Sequence, residues 1–381
     1  MLEGVKIVDL TSVVFGPYAT QVLADYGAEV IKVEPISGDV GRYTGKSAKS
    51  KGMSPAHITL NRGKKSVTLD LKQKDDADVM RQLIAEADIF IHNIRGKAIE
   101  RLGFGYEDVK RINDGIIYVH CVGFGSGGPY SDLQAYDDVI QVATGATSLA
   151  SRVDGNPTPR YLPTLIADKV AGLNAVYAAL AAVVHKLRTG RGQFVEVPMF
   201  EAFAHFILKD HLAGKTFDPP VGSSLYARQV DPERQPFPTQ DGHIAVVPYT
   251  DADWVRLFEA LEDPDFLGSE PLDTPIGRRQ NMALMYKGIA DRTPAKTTQE
   301  WVEIMRAVQI PCMPARDIDD ILADPHLRAA GFFERREHPT EGTIYEMSDA
   351  SRFSDWQRPV QDSAPLIGEH TDEVKAKLKN G

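Results

Sequence analysis

Val5-Lys6-Ile7-Val8-Asp9-Leu10, then Pro17 and Gln21-Val22-Leu23 before Gly27, then Glu29-Val30-Ile31-Lys32-Val33-Glu34: this opening stretch decides the fold. The two outer runs are rich in β-branched residues and read as strands. Between them, Pro17 suits the first turn of a helix and Gly27 suits its end. A strand, a helix and a strand in so short a span form a βαβ unit, and such a crossover pairs its strands in parallel.

The same alternation continues outward. Residues 66–71, 88–93 and 116–121 read as further strands, and 75–86 as a helix. The expected core is therefore an open, mostly parallel α/β sheet of the Rossmann kind. Ligands on such sheets gather beyond the carboxyl ends of the strands, which is where Asn93 and Gly123-Phe124-Gly125 fall. An alanine-rich helix over 169–188 follows and stops at Thr189-Gly190-Arg191-Gly192, before a strand over 194–197. From about 215, Pro219, Pro220, Gly222, Pro232, Pro236 and Pro238 mark a loop-rich crossing into a second region. There a turn at 239–243 precedes a strand at 244–247, with amphipathic helices near 251–262, 276–291 and 298–308. Mixed strands and a final helix close the chain.

Bulk properties narrow the function. The chain has 381 residues, 43% hydrophobic and 25% charged, which is ordinary for a soluble globular protein. Its net charge of −10 argues against a general nucleic-acid binder, which carries a basic face. The two cysteines, Cys121 and Cys312, have no ligand spacing and read as small buried hydrophobes suited to a reducing compartment. The start lacks a basic segment followed by an apolar one. The longest apolar run, 175–184, is half of the about 20 residues a membrane-spanning helix needs. The expectation is a cytoplasmic protein that binds neither nucleic acid nor membrane.

Several chemistries lack their motifs. The first βα turn, Ser12-Val13-Val14-Phe15-Gly16-Pro17, has no G-x-G-x-x-G, so nothing points to a nicotinamide or flavin site. The ten histidines never pair across a helical turn around a Glu, so no metal is expected. A G-x-S-x-G elbow is missing too. Three polar clusters remain. Asn61-Arg62-Gly63-Lys64-Lys65-Ser66 reads by itself as a solvated surface turn. Asn93-Ile94-Arg95-Gly96-Lys97, with Arg101, reads either as a capped helix start or as a cradle for phosphates. Asp168, ahead of the alanine-rich helix, reads first as its N-cap. The same carboxylate, with a reference pKa near ~3.9, is expected to be fully ionised at neutral pH and able to attack an acyl carbon without a general base.

In their order along the chain, these residues resemble the family III CoA-transferases, which include formyl-CoA transferase and L-carnitine and dicarboxylate CoA-transferases. The resemblance spans nearly the whole sequence. It rests on Gly16-Pro17, Leu23-Ala24-Asp25-Tyr26-Gly27-Ala28-Glu29-Val30-Ile31-Lys32-Val33-Glu34, Gly38-Asp39 with Arg42, and Asn61 to Ser66 with Leu69-Asp70-Leu71-Lys72. Tyr136-Asp137 with Gln141, Asp168 before Gly172, Thr189 to Gln193 and Pro365 to Thr371 complete it. It implies a large α/β domain over 1–205 and 320–381, a linker and small α+β domain over 206–319, and an interlocked homodimer. It implies transfer of CoA from an acyl-CoA to a free carboxylic acid, with Asp168 as the nucleophile, passing through an aspartyl anhydride and an aspartyl-CoA thioester. CoA is then a substrate, and no tightly bound cofactor is expected. By position the resemblance implies that Val14, Phe15, Arg42, Leu69, Lys72, Asn93, Ile94, Arg95, Arg101, Tyr136 and Asp137 meet CoA.

Two departures argue against formate or oxalate as substrate. Gln134 stands where formyl-CoA transferase has a basic residue, and 222–228 holds one glycine where that enzyme has a glycine-rich loop. A 2-methylacyl-CoA racemase on the same fold is the alternative. Such an enzyme places a histidine where this chain has Tyr136, a poor base at neutral pH. Arg160, Arg228 and Arg234 are the candidates for recognising a second carboxylate.

Overall fold

A computed structural model of the chain describes residues 1–380. Six strands form one parallel sheet: β1 (Lys6–Leu10), β2 (Glu29–Glu34), β3 (Lys64–Thr68), β4 (Ile89–His92), β5 (Ile117–Val122) and β6 (Gln193–Pro198). Their order is β3-β2-β1-β4-β5-β6. The strand order therefore reverses between β1 and β4, and the loops leaving these two strands diverge into a crevice. The expected open parallel sheet is present, and each strand boundary lies within three residues of its sequence reading.

Alternation along the strands builds two cores. Ile7, Val30, Ile89, Ile91, Ile117 and Val119 face the first helix, Phe15–Asp25, and the long helix, Ile166–Thr189. Val8, Leu10, Val33, Val67, Phe90 and Tyr118 face the opposite side, against the helices Lys74–Glu86 and Thr371–Asn380. Covering both faces is why β4 and β5 read as nearly continuous apolar runs. The long helix, 24 residues, is long and apolar enough by length and composition to resemble a membrane span. It spends Ala167, Ala171, Ala175, Ala179 and Ala182 in the core, while Leu173, Tyr177, Val184 and Leu187 stay exposed. Gly190, at a φ of 73°, ends it in the left-handed cap that the sequence suggested.

The chain divides into two compact units. One holds Met1–Ala146, Tyr161–Ile207 and His326–Gly381, and the other Thr147–Arg160 and Leu208–Pro325. The second unit has a small antiparallel sheet (Phe237–Pro238, His243–Val246, Cys312–Pro314) and a core around Trp254, Phe258, Tyr286 and Trp301.

Within β1–β3 and the turn after β2 lies a layer of buried charge. Lys64 pairs with Asp9 at 3.4 Å, Lys32 with Asp39 at 3.0 Å and Arg42 with Glu34 at 2.6 Å, all shut off from solvent. The Asn61–Ser66 cluster is consequently no solvated turn: Asn61, Arg62, Lys64 and Ser66 are buried. Burial brings the Lys64 ammonium down to about 8. Burial would raise the Glu34 carboxyl, but hydrogen bonds from Arg42 and the charge of Lys32 outweigh it and hold the group at about 2.

Arg42 also reaches the carbonyl of Pro365 at 3.0 Å, tying the C-terminal segment to the sheet. Its guanidinium is taken up by these contacts and is shut off from solvent. Arg42→Met would leave Glu34 buried without its partner and should cost about 3–5 kcal/mol in urea unfolding at neutral pH. The sign with pH follows from the depressed carboxyl. The pair's contribution is complete above the unfolded value of 4.5 and is lost as pH falls toward about 2, so the variant should lose this acid sensitivity.

Candidate active site

Two loops meet where the strand order reverses: residues 11–14 after β1, and 93–95 after β4. The first loop delivers the helix Phe15–Asp25, whose N-cap, Val14, offers no side-chain acceptor. With Pro17 at the third position, the amides of Phe15 and Gly16 are the free donors of this helix start. Two glycines allow close approach there. A Cβ on Gly16 would lie 2.2 Å from Thr11 Cβ, and one on Gly172 would lie 2.9 Å from Tyr18 Cδ1 and 3.0 Å from the Phe15 carbonyl. The first and long helices therefore touch at their beginnings.

Asp168 is not the N-cap of the long helix. Leu165 takes that position without a side-chain bond, and Asp168 is the third helical residue. The missing cap comes from elsewhere. Asp137, on the short helix Asp137–Ala143, accepts the Asp168 amide at 3.0 Å through Oδ2. Its Oδ1 accepts from Gln141 Nε2 at 2.6 Å, and Gln141 Oε1 accepts the Leu162 amide at 2.8 Å. Asp137 thus does through space what an N-cap side chain does locally.

This arrangement places two carboxyl groups together. The Asp168 carboxyl is raised to about 7, first by burial and second by the charge of Asp137, with the Phe15 amide pulling the other way. The sequence led us to expect a fully ionised aspartate. Burial beside a like charge overturns that, and at neutral pH the group sits near its midpoint.

The remaining expected residues separate by environment. Val14 and Phe15 are buried at the start of the first helix, and Leu69 is 2% exposed within the core. Asn93 spends its amide on the facing loop: Oδ1 accepts the Ser12 amide at 3.0 Å, and Nδ2 donates to the Ser12 carbonyl at 2.9 Å. Ile94 is held at both ends of its backbone, donating to His92 Nδ1 at 3.2 Å while its carbonyl lies 2.9 Å from His120 Nε2. Burial depresses both imidazoles, so they act as neutral partners. Lys72, Arg95, Arg101 and Tyr136 are exposed, with Tyr136 at 66%. Asp137 is buried and faces Asp168 rather than solvent.

The structure therefore brings Asp168, Asp137 and Phe15 together, and leaves Lys72, Arg95 and Arg101 as surface cations beyond the carboxyl ends of β3 and β4. The capping role of Asp137 was invisible in sequence, because it sits 31 residues before its partner. Of the three arginines named for a second carboxylate, Arg160 pairs with Asp154, Arg228 bonds Tyr286 and Arg234 bonds Gln229. Among the described residues, no group of three His, Cys, Asp or Glu side chains is placed to hold a metal.

A family model described as CoA-transferase family III matches residues 2–371. Human succinyl-CoA:glutarate CoA-transferase is 30% identical over 98% of this chain and 85% of its own length. Formyl-CoA:oxalate CoA-transferase of Rhodopseudomonas palustris is 32% identical over 98% of this chain and 92% of its own. A solved CAIB/BAIF family protein from Brucella suis superposes with a TM-score of 0.84 at 27% identity, covering 99% of this chain and 98% of that one.

Asp137→Asn should lower the apparent pKa of Asp168 by removing the like charge while leaving burial in place. Carbon-13 NMR of labelled aspartate reads this as a titration midpoint below about 7. Asp168→Asn should raise the melting temperature most at pH 8, less at pH 5, and leave it nearly unchanged only below the unfolded value of 3.8. The folded carboxyl sits above its unfolded value of 3.8, so the cost of this group is absent below 3.8, grows as pH rises to about 7 and is complete above that.

Proposed function

This chain belongs to CoA-transferase family III, and from that premise we propose that it moves CoA from an acyl-CoA to a free dicarboxylic acid with Asp168 as the covalent nucleophile. The observation that carries the proposal is the Asp168 carboxyl, half-buried, raised to about 7, and beside the Phe15 amide at a helix start.

The ionised Asp168 oxygen attacks the acyl carbon of the donor. The carbon–sulfur bond breaks, leaving an aspartyl–acyl anhydride and the CoA thiolate. The thiolate then attacks the Asp168 carbonyl, releasing the donor acid as its carboxylate and leaving CoA on Asp168 as a thioester. An acceptor carboxylate attacks that thioester and repeats the two steps in reverse, which restores the Asp168 carboxylate. Each step exchanges one activated acyl bond for another, so no energy source is consumed.

The surroundings of Asp168 favour its reaction. Burial and Asp137 both penalise the negative charge, and the charge disappears when Asp168 becomes an anhydride or thioester. Relief of that penalty lowers the barrier from the ionised ground state. A carboxylate with a higher pKa is also the better nucleophile. The Phe15 amide lies beside the same carboxyl and can stabilise the oxyanion that develops on it, a contribution of about 10²–10³ in rate for one such donor in other enzymes.

Lys72, Arg95 and Arg101 are the proposed contacts for the CoA phosphates, being exposed cations beyond the strand ends. The exposed apolar residues of the long helix, Leu173, Tyr177, Val184 and Leu187, support the expected homodimer. The relatives named above act on succinate, glutarate or oxalate, which favours a dicarboxylate substrate. The chain's single glycine in 222–228 favours the longer acids.

Asp168→Ala should abolish transfer while leaving CoA affinity within about threefold, as expected when an interaction made only in the reaction is lost. Hydroxylamine added during turnover should label Asp168, read by peptide mass spectrometry. Near wild-type exchange by the variant, or a label elsewhere, sinks the assignment. A panel of acyl-CoA donors against succinate, glutarate, oxalate and formate identifies the acids. Arg101→Ala should raise KM for acyl-CoA about tenfold with kcat unchanged, as loss of a uniform binding contact does.

A further inference from the structure

Val13 adopts a φ of +70°, a left-handed conformation that a β-branched residue strongly disfavours. It lies two residues before Phe15, so its rotation sets the direction in which the first helix leaves β1. No sequence rule asks for this conformation. A glycine would take it freely, yet the chain has valine.

The neighbours of Val13 show what imposes it. Its amide donates to both carboxylate oxygens of Asp39, at 3.1 and 3.2 Å. Asp39 is itself immobilised. Its carboxylate pairs with the buried Lys32 at 3.0 Å, accepts the Gly41 amide at 2.9 Å, and its own amide donates to Glu34 at 3.0 Å. Lys32 also donates to the Thr11 carbonyl at 2.8 Å. From the other side, Asn93 holds both backbone groups of Ser12. The turn over 39–41 presses so closely that a Cβ on Gly41 would sit 3.2 Å from the Val13 carbonyl oxygen. The loop thus runs through a clamp of side chains rooted in β2, β4 and the turn after β2.

We infer that Asp39 is a positioning residue: anchored by Lys32, it holds Val13 left-handed and so aims the Phe15 amide at the Asp168 carboxyl. Released from Asp39, Val13 relaxes toward negative φ, and the amide turns away. The inference rests on the reading of Asp168 as the reacting group. It adds that the geometry of that group is set by an ion pair buried under the sheet edge.

Asp39→Asn keeps the size of the side chain but removes the charge that pairs with Lys32. It should lower kcat about 10–100-fold, the scale expected when a reacting geometry slips by about an ångström, with KM for acyl-CoA within about twofold. The acid limb of the kcat profile should move to higher pH, because the one group that pulls the Asp168 carboxyl down is lost while Asp137 remains. Adding Val13→Gly to this variant should restore most of kcat, since glycine reaches the required φ unaided. Val13→Pro in the wild-type background, with φ locked near about −65°, should reproduce the kcat loss. Wild-type kcat and acid limb in folded Asp39→Asn, failure of Val13→Gly to rescue it, or full activity in Val13→Pro each overturns the inference. Val13→Pro decides the matter by itself should Asp39→Asn not fold. Hydroxylamine labelling of wild type separates the two readings. A label away from Asp168 defeats the functional reading, whereas a label on Asp168 with indifferent variants defeats only the positioning role.

Discussion

One hydrogen bond does two jobs in this protein. Asp137 accepts the amide of Asp168, and that contact supplies the cap the long helix lacks while holding two carboxyl groups against each other. A local cap would have started the helix equally well. It would not have placed a second negative charge beside a half-buried aspartate. One side chain thus both starts the helix and adds to the perturbation of Asp168, and the Gln141 bonds fix it in place.

The fold supports this contact through its strand order. Reversal between β1 and β4 opens the crevice, and the loops on either side of it are fastened to each other by Asn93 and Ser12. Beneath them the ions of β1–β3 are buried in pairs, an arrangement that contributes little net stability compared with apolar packing but is costly to break at one partner. Its value here is geometric. Lys32 and Asp39 act on the backbone of the loop, Arg42 and Glu34 reach the C-terminal segment, and Lys64 and Asp9 sit between them. Charged side chains within a sheet that is otherwise apolar hold directions that dispersion forces alone would leave soft.

Much of this was legible in the residues. The βαβ start, the later strands and the left-handed end of the long helix at Gly190 follow from period, propensity and capping chemistry, all of which act over a few neighbours. Asp168 was singled out at the head of its helix for a related reason. What failed were readings of environment at particular polar residues, whereas Cys121 is buried as expected. Asn61–Ser66 looked like a polar surface turn, because a run of lysine and arginine carries no mark of the Asp9 and Asp25 that enclose it. Neither the bonds of Arg42 to Glu34 nor those of Asn93 to Ser12 were legible, because their partners lie beyond the few neighbours over which such rules act. Asp168 looked like an ordinary ionised carboxylate.

The sequence by itself determined the class of fold and the family, because helix, strand and turn preferences and an ordered set of motifs are written in adjacent residues. Only the tertiary structure decided the protonation of Asp168, the partner that caps its helix and the strained valine that orients the facing amide. Those depend on desolvation and on charges within a few ångströms, and the residues that supply them, Asp137 and Asp39, are near Asp168 and Val13 in space but far away along the chain.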